Sequence, residues 1–151
     1  MLVVVLLLVA SAMFAEIQCI GECRPPTFHA LAHPNATVAA NTTTFAGIAG
    51  ASFNIEALRT CVSNANTTKA RIIVFTTSAQ PTTGSLTFTL RKNGVDTAVS
   101  LTVPAGGSAG LYDTGTLYLS VATGDRISLK VVNAAPATAS ANIQSLTWTL
   151  W

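Results

Sequence analysis

From Lys69 to Trp151 the chain is written with a period of two. Leu86-Thr87-Phe88-Thr89-Leu90, Val99-Ser100-Leu101-Thr102-Val103 and Leu117-Tyr118-Leu119-Ser120-Val121 each put apolar residues on one side and mostly hydroxyls on the other. Successive side chains of a strand point to opposite faces, so such runs build half-buried sheet rather than helix. Turn signals separate them at the spacing of a sandwich, and the fold class this predicts is an all-β antiparallel sandwich of about eight strands. The shared phase nominates Leu86, Phe88, Leu90, Leu101, Leu119, Leu129 and Trp148 for its core.

Particular elements follow from local chemistry. Residues 69–78 form a strand in which the unbroken Ile72-Ile73-Val74-Phe75 predicts burial on both faces. Asn93-Gly94, between two alternating runs, is the favoured pair for a type I′ hairpin. Residues 104–110 (PAGGSAG) read as a flexible loop, and 117–121 with 127–132 read as a second hairpin around Thr123-Gly124-Asp125. The last strand carries Leu146, Trp148 and Leu150 inward, with Ile143 out of phase, which predicts a bulge. Before residue 69, 56–63 reads as a strand, and the Thr/Ala-rich 37–50 as one edge strand at best.

The chain divides into an apolar segment (1–15), a lead-in (16–36) and the sandwich (37–151). Residues 2–15 carry no charge and are short for a membrane span, which needs about 20. They fit the h-region of a cleaved signal peptide, with Ala10-Ser11-Ala12 as the cleavage pattern, although no basic side chain precedes them. The other reading is an assembly element docked into a neighbour. The lead-in holds Pro25-Pro26, which bars a central strand, two cysteines and both histidines.

Catalytic chemistry has little to work with. His29 and His33 both lie in the lead-in with no acid beside them, so a Ser-His-Asp site is not expected. Asp96 and Asp125 sit beside Gly-containing turns, where Asp serves the backbone. Gly106-Gly107-Ser108-Ala109-Gly110 has no Lys and no following helix, so it is no phosphate loop. Cys19-x3-Cys23 with His29-x3-His33 departs from zinc-finger spacing, so neither metal nor cofactor is expected. Three cysteines leave one over; the expected bridge is Cys23 with Cys61, tying the lead-in to the domain. Asn35, Asn41 and Asn66 open N-glycosylation sequons.

Charged residues make up 9% of the chain against about 25% in an average soluble domain, so little repulsion keeps copies apart. Net charge is +2 with no basic cluster beyond Arg91-Lys92, which excludes a nucleic-acid groove. Trp151 falls opposite in phase to Trp148, so it faces away from the core. With Tyr112 and Tyr118 it forms the candidate interface set.

Leu86 to Val103 (LTFTLRKNGVDTAVSLTV), with Val121 to Val132 (VATGDRISLKVV), resembles a module of phage virion proteins and bacterial surface proteins. There an LRKNG hairpin is followed by an alternating strand opened by Gly-Asp. The resemblance spans about residues 70–151. It implies a jelly-roll like the trimeric heads of tail fibres, head-decoration proteins and collagen-type knobs. The expected function is a non-enzymatic structural subunit of a virion or extracellular assembly, at the virion or cell surface. Its expected partners are copies of itself, as a trimer or filament, and capsid or surface proteins. The alternative is a secreted carbohydrate-binding sandwich with a glycan ligand. A coplanar surface trio of Tyr112, Tyr118 and Trp151 favours sugar; their burial between subunits favours assembly.

Overall fold

The computed structural model describes residues 28–32, 36–46, 52–53, 60–63, 65–136 and 141–151. All regular elements among them are strands: β1 (Phe28–Ala32), β2 (Ala36–Val38), β3 (Thr42–Ala46), β4 (Ser52–Phe53), β5 (Cys61–Val62), β6 (Thr67–Thr76), β7 (Leu86–Lys92), β8 (Val95–Val103), β9 (Gly110–Asp113), β10 (Leu117–Val121), β11 (Arg126–Asn133) and β12 (Ala141–Leu150). They pair antiparallel into two sheets. Sheet 1 runs β1-β12-β6-β10, with β2 on β12 and β9 on β6; sheet 2 runs β4-β3-β11-β7-β8, with β5 on β11.

Among the described strands the chain changes sheet after β2, β5, β6, β8, β10 and β11, which is the double-sheet winding of a jelly roll. Twelve strands exceed the eight expected for a simple reason. The short β2, β4 and β5 are sheet-edge additions, and β9 with β10 together fill one strand's place along β6. Every nominated core residue is buried, and Phe88 and Trp148 are the largest side chains enclosed.

Several expectations change. Residues 117–121 and 127–132 are not a hairpin: β10 pairs with β6 in sheet 1 and β11 with β3 and β7 in sheet 2. The Thr123-Gly124-Asp125 turn therefore carries the chain across the sandwich. Ile72 and Val74 are sealed, but Ile73 is half-buried and Phe75 is 37% exposed. An unbroken apolar run thus sits in a one-sided strand. Residues 37–50 yield β3, which is no edge, since β4 lies beyond it. The 104–109 loop is pinned, because Gln80 N–H donates to Gly107 O (2.7 Å) and Gly106 N–H to Pro81 O (2.7 Å).

Other features follow the residues as read. Asn93 (φ 53°) and Gly94 (φ 79°) are both left-handed, as a type I′ turn requires. The β12–β6 register slips between Ile143 and Ser145, and that bulge turns Ile143 inward.

Candidate functional site

The two motif halves of the sequence meet in space. Asn93 of the hairpin turn accepts the Arg126 N–H at Oδ1 (2.8 Å) and donates its own N–H to Arg126 O (2.8 Å). Its side-chain amide donates to Asp125 Oδ1 (2.7 Å), and Asp125 Oδ2 accepts the Ala122 N–H (2.8 Å). Lys92 Nζ adds a contact to Asp125 at 3.5 Å. The Ala122 N–H and the Asn93 amide hold the Asp125 carboxyl below the usual carboxylate range. LRKNG and Gly-Asp are therefore one structural latch between a hairpin and a crossover. Asn93 and Asp125 thus spend their side-chain polar atoms on joining two segments of the fold.

Function has to be sought on the outward faces. On sheet 2, outward Thr87 and Thr102 oppose each other, as do Thr89 and Ser100, whose hydroxyls lie 3.2 Å apart. Asp96 binds Arg91 Nε (2.7 Å) and Lys130 Nζ, and Arg91 also stacks on Phe45 at 5.6 Å from the ring centroid. Lys130 first, then Arg91, holds the Asp96 carboxyl below its usual range. Asp96 thus pins side chains across three strands rather than serving its turn.

Sheet 1 presents something different. Residues directly opposite in an antiparallel pair share a face. Leu111 opposes Phe75, which opposes Ser145; Asp113 opposes Ile73, which opposes Thr147. Leu111 is 65% exposed and, with Phe75 and Ile73, makes an apolar patch at one end of the face. At the other end Tyr118, 75% exposed, opposes Lys69. Lys69 in turn exchanges two backbone hydrogen bonds with Trp151 (3.0 and 3.1 Å). Between the ends Arg71 forks onto Asp113, with Nε–H donating to Oδ1 at 2.9 Å. That fork lowers the Asp113 carboxyl below its usual range and raises the Arg71 guanidinium.

The three expected aromatics are thereby divided. Tyr118 and Trp151 share the outer face of sheet 1, two strands apart. Tyr112 opposes inward Val74, packs against the core and donates its hydroxyl to Ser108 O (2.7 Å), so it leaves the set. Phe75, Ile73, Leu111 and Lys69 were not singled out from the sequence. The parity of β6 was the available signal: Lys69 and Arg71 face water, so Ile73 and Phe75 must follow them out.

Cys61 is buried on β5, but Cys23 and the bridge between them lie outside the described residues, as do Cys19, His33 and Asn35. Among the described residues no cluster of His, Cys, Asp and Glu is arranged to hold a metal. Asn41 is exposed in the β2–β3 turn at φ 49°, whereas Asn66 accepts the Thr123 N–H at 3.0 Å.

No protein-family profile and no curated protein matches the chain. Among solved structures it is similar to Eiger TNF from S. frugiperda, at 10% identity over 83% of this chain and 92% of that one, TM-score 0.49. It is similar to the globular domain of zebrafish complement 1qA, at 8% over 83% and 95%, TM-score 0.48. A third likeness is the CBM36-1 domain of a multidomain xylanase from the hindgut metagenome of Trinervitermes trinervoides, at 11% over 81% and 95%, TM-score 0.47. The winding described above stands on its own strand pairing.

Proposed function

We propose that the chain is a non-enzymatic structural subunit of a virion or other extracellular assembly, and that copies meet through the outer face of sheet 1. The observation that carries this reading is the adjacency of Phe75, Leu111 and Ile73 on a face that no described strand covers. Apolar side chains gathered on one outer face mark a contact surface. Low charge supports the reading, because few like charges hold copies apart. So does the employment of Asp96, Asp113 and Asp125 in structural pairs rather than across a cleft.

Light scattering on wild type, Phe75→Ser and Leu111→Ser tests it. The wild type runs as an oligomer, with a trimer as the first expectation. Both variants shift toward monomer, while their folding stability stays within about 0.5 kcal/mol, as for other outward substitutions. A wild type that remains monomeric at high concentration overturns self-assembly. An oligomer indifferent to both substitutions overturns the assigned contact.

A further inference from the structure

We infer that the Tyr118–Lys69–Trp151 row at the other end of sheet 1 is a binding platform for an acidic glycan, one carrying carboxylates on its sugar rings. This goes beyond self-assembly and does not depend on it. The Arg71–Asp113 fork lies between the row and the Phe75–Leu111 patch, so the two are distinct surfaces on one face.

Three observations converge on that ligand class. The first is aromatic geometry. Tyr118 and Trp151 stand on one face with a single strand between them, about 9.6 Å apart at twice the strand spacing. Trp151 is held there through both its N–H and its C=O, since Thr68 N–H also donates to Trp151 O at 3.1 Å. Two aromatics so placed offer π-faces to the C–H faces of successive rings in an extended oligosaccharide. Tyr and Trp suit such a surface because each joins an apolar body to a polar edge.

The second is charge. Lys69 lies between the two aromatics and is exposed, with no ion-pair partner among the described residues. Residues 60–151 hold six cations but only three acids. All three acids are engaged, Asp96 by Lys130 and Arg91, Asp113 by Arg71, and Asp125 by Lys92. A second copy of this sandwich therefore has no spare described acid to offer Lys69. Carboxylate supplied from outside does.

The third separates glycan from peptide. A peptide binds a sheet chiefly by adding a strand at an edge through main-chain hydrogen bonds. In this row the backbones of Lys69 and Trp151 already bond to each other, and β6 is flanked on both sides, so at Lys69 and Trp151 side chains are what a ligand meets. β10, which carries Tyr118, ends the sheet, so a peptide could pair along it, and the poly-glutamate arm of the test below separates that mode from ring stacking beside one cation.

The test is titration calorimetry of the full chain with oligogalacturonate, oligoalginate and a sialylated oligosaccharide, against cello-oligosaccharide as the neutral control. At least one acidic probe binds, and the neutral control binds about tenfold more weakly or not at all. Tyr118→Ala and Trp151→Ala each weaken the acidic probe by about tenfold or more while the light-scattering mass stays that of wild type. Lys69→Gln brings the acidic probe down to the neutral one, and Lys69→Arg restores the preference. Four results overturn the inference: no acidic probe binding, acidic preference surviving Lys69→Gln, a poly-glutamate peptide binding as tightly as the glycans, or Trp151→Ala lowering the oligomer mass. The last would make the row a subunit contact. A monomeric wild type that still binds the acidic probe would sink the assembly reading and leave this one standing.

Discussion

The outer faces of the two sheets share one core and one backbone geometry, yet they are finished in opposite ways. On sheet 2 the hydroxyls of Thr89 and Ser100 meet each other, and Asp96 pairs with both Arg91 and Lys130. On sheet 1 Phe75 and Leu111 face outward side by side, and Lys69 stands between two aromatics with no acid paired to it among the described residues. A face whose side chains satisfy one another has little to gain from a partner. A face that leaves apolar area and an exposed cation gains from one, so sheet 1 is the face suited to a partner.

The comparison breaks most visibly at its two phenylalanines. Phe88, sealed inside sheet 2, should cost about 3–5 kcal/mol on replacement by Ala, as emptied aromatic core sites do. Phe75→Ala, on the outer face of sheet 1, should cost less than about 1 kcal/mol when both variants are compared by urea melts at a concentration too low for assembly. Equal costs would show that the sheet 1 face is part of the folding core. On sheet 2, Asp96→Asn should cost about 1 kcal/mol or less, since its side chain is 45% exposed, and high salt should erase most of the difference. A salt-insensitive loss would mean that the cluster stabilises by packing instead.

The smallest effect is acid sensitivity. Asp96, Asp113 and Asp125 all have carboxyls held below the ordinary range, so the folded state binds protons less readily than the unfolded one. Their contribution is complete above about pH 4 and is lost as pH falls through the lowered folded values. Melting temperatures between pH 7 and pH 2 should therefore drop, and Asp125→Asn should make that drop shallower. An equally steep drop in the variant would remove Asp125 from the account.

How far the amino-acid pattern reached depends on what each part of the fold obeys. Core positions such as Phe88 and Leu129 were legible because period two assigns them to a side without reference to any partner. The hairpin at Asn93-Gly94 was legible because two left-handed residues in a row leave few alternatives. The crossover at Thr123-Gly124-Asp125 was not, because a tight turn looks the same locally whether its strands pair or part. Outward Phe75 was hidden by composition: four consecutive apolar residues suggest two covered faces, while only the parity of Lys69 and Arg71 argues otherwise. Tyr118 and Trp151 could be placed outward by phase, but their meeting across Lys69 depends on pairings between distant segments.

One consequence concerns the order in which the protein is made. β12 lies inside sheet 1, between β1 and β6, although it is the latest of the described strands in the chain. As synthesis proceeds from the N-terminus, β1 and β6 emerge with the gap between them unfilled. The hairpin of β7 and β8 can close while the ribosome is still at work, but sheet 1 must wait for Trp148 and its neighbours. Until then β6 presents a bare edge and an uncovered apolar side, the state in which a nascent strand is most prone to join the wrong chain. Premature termination before residue 141 should thus yield an aggregating product rather than a smaller domain.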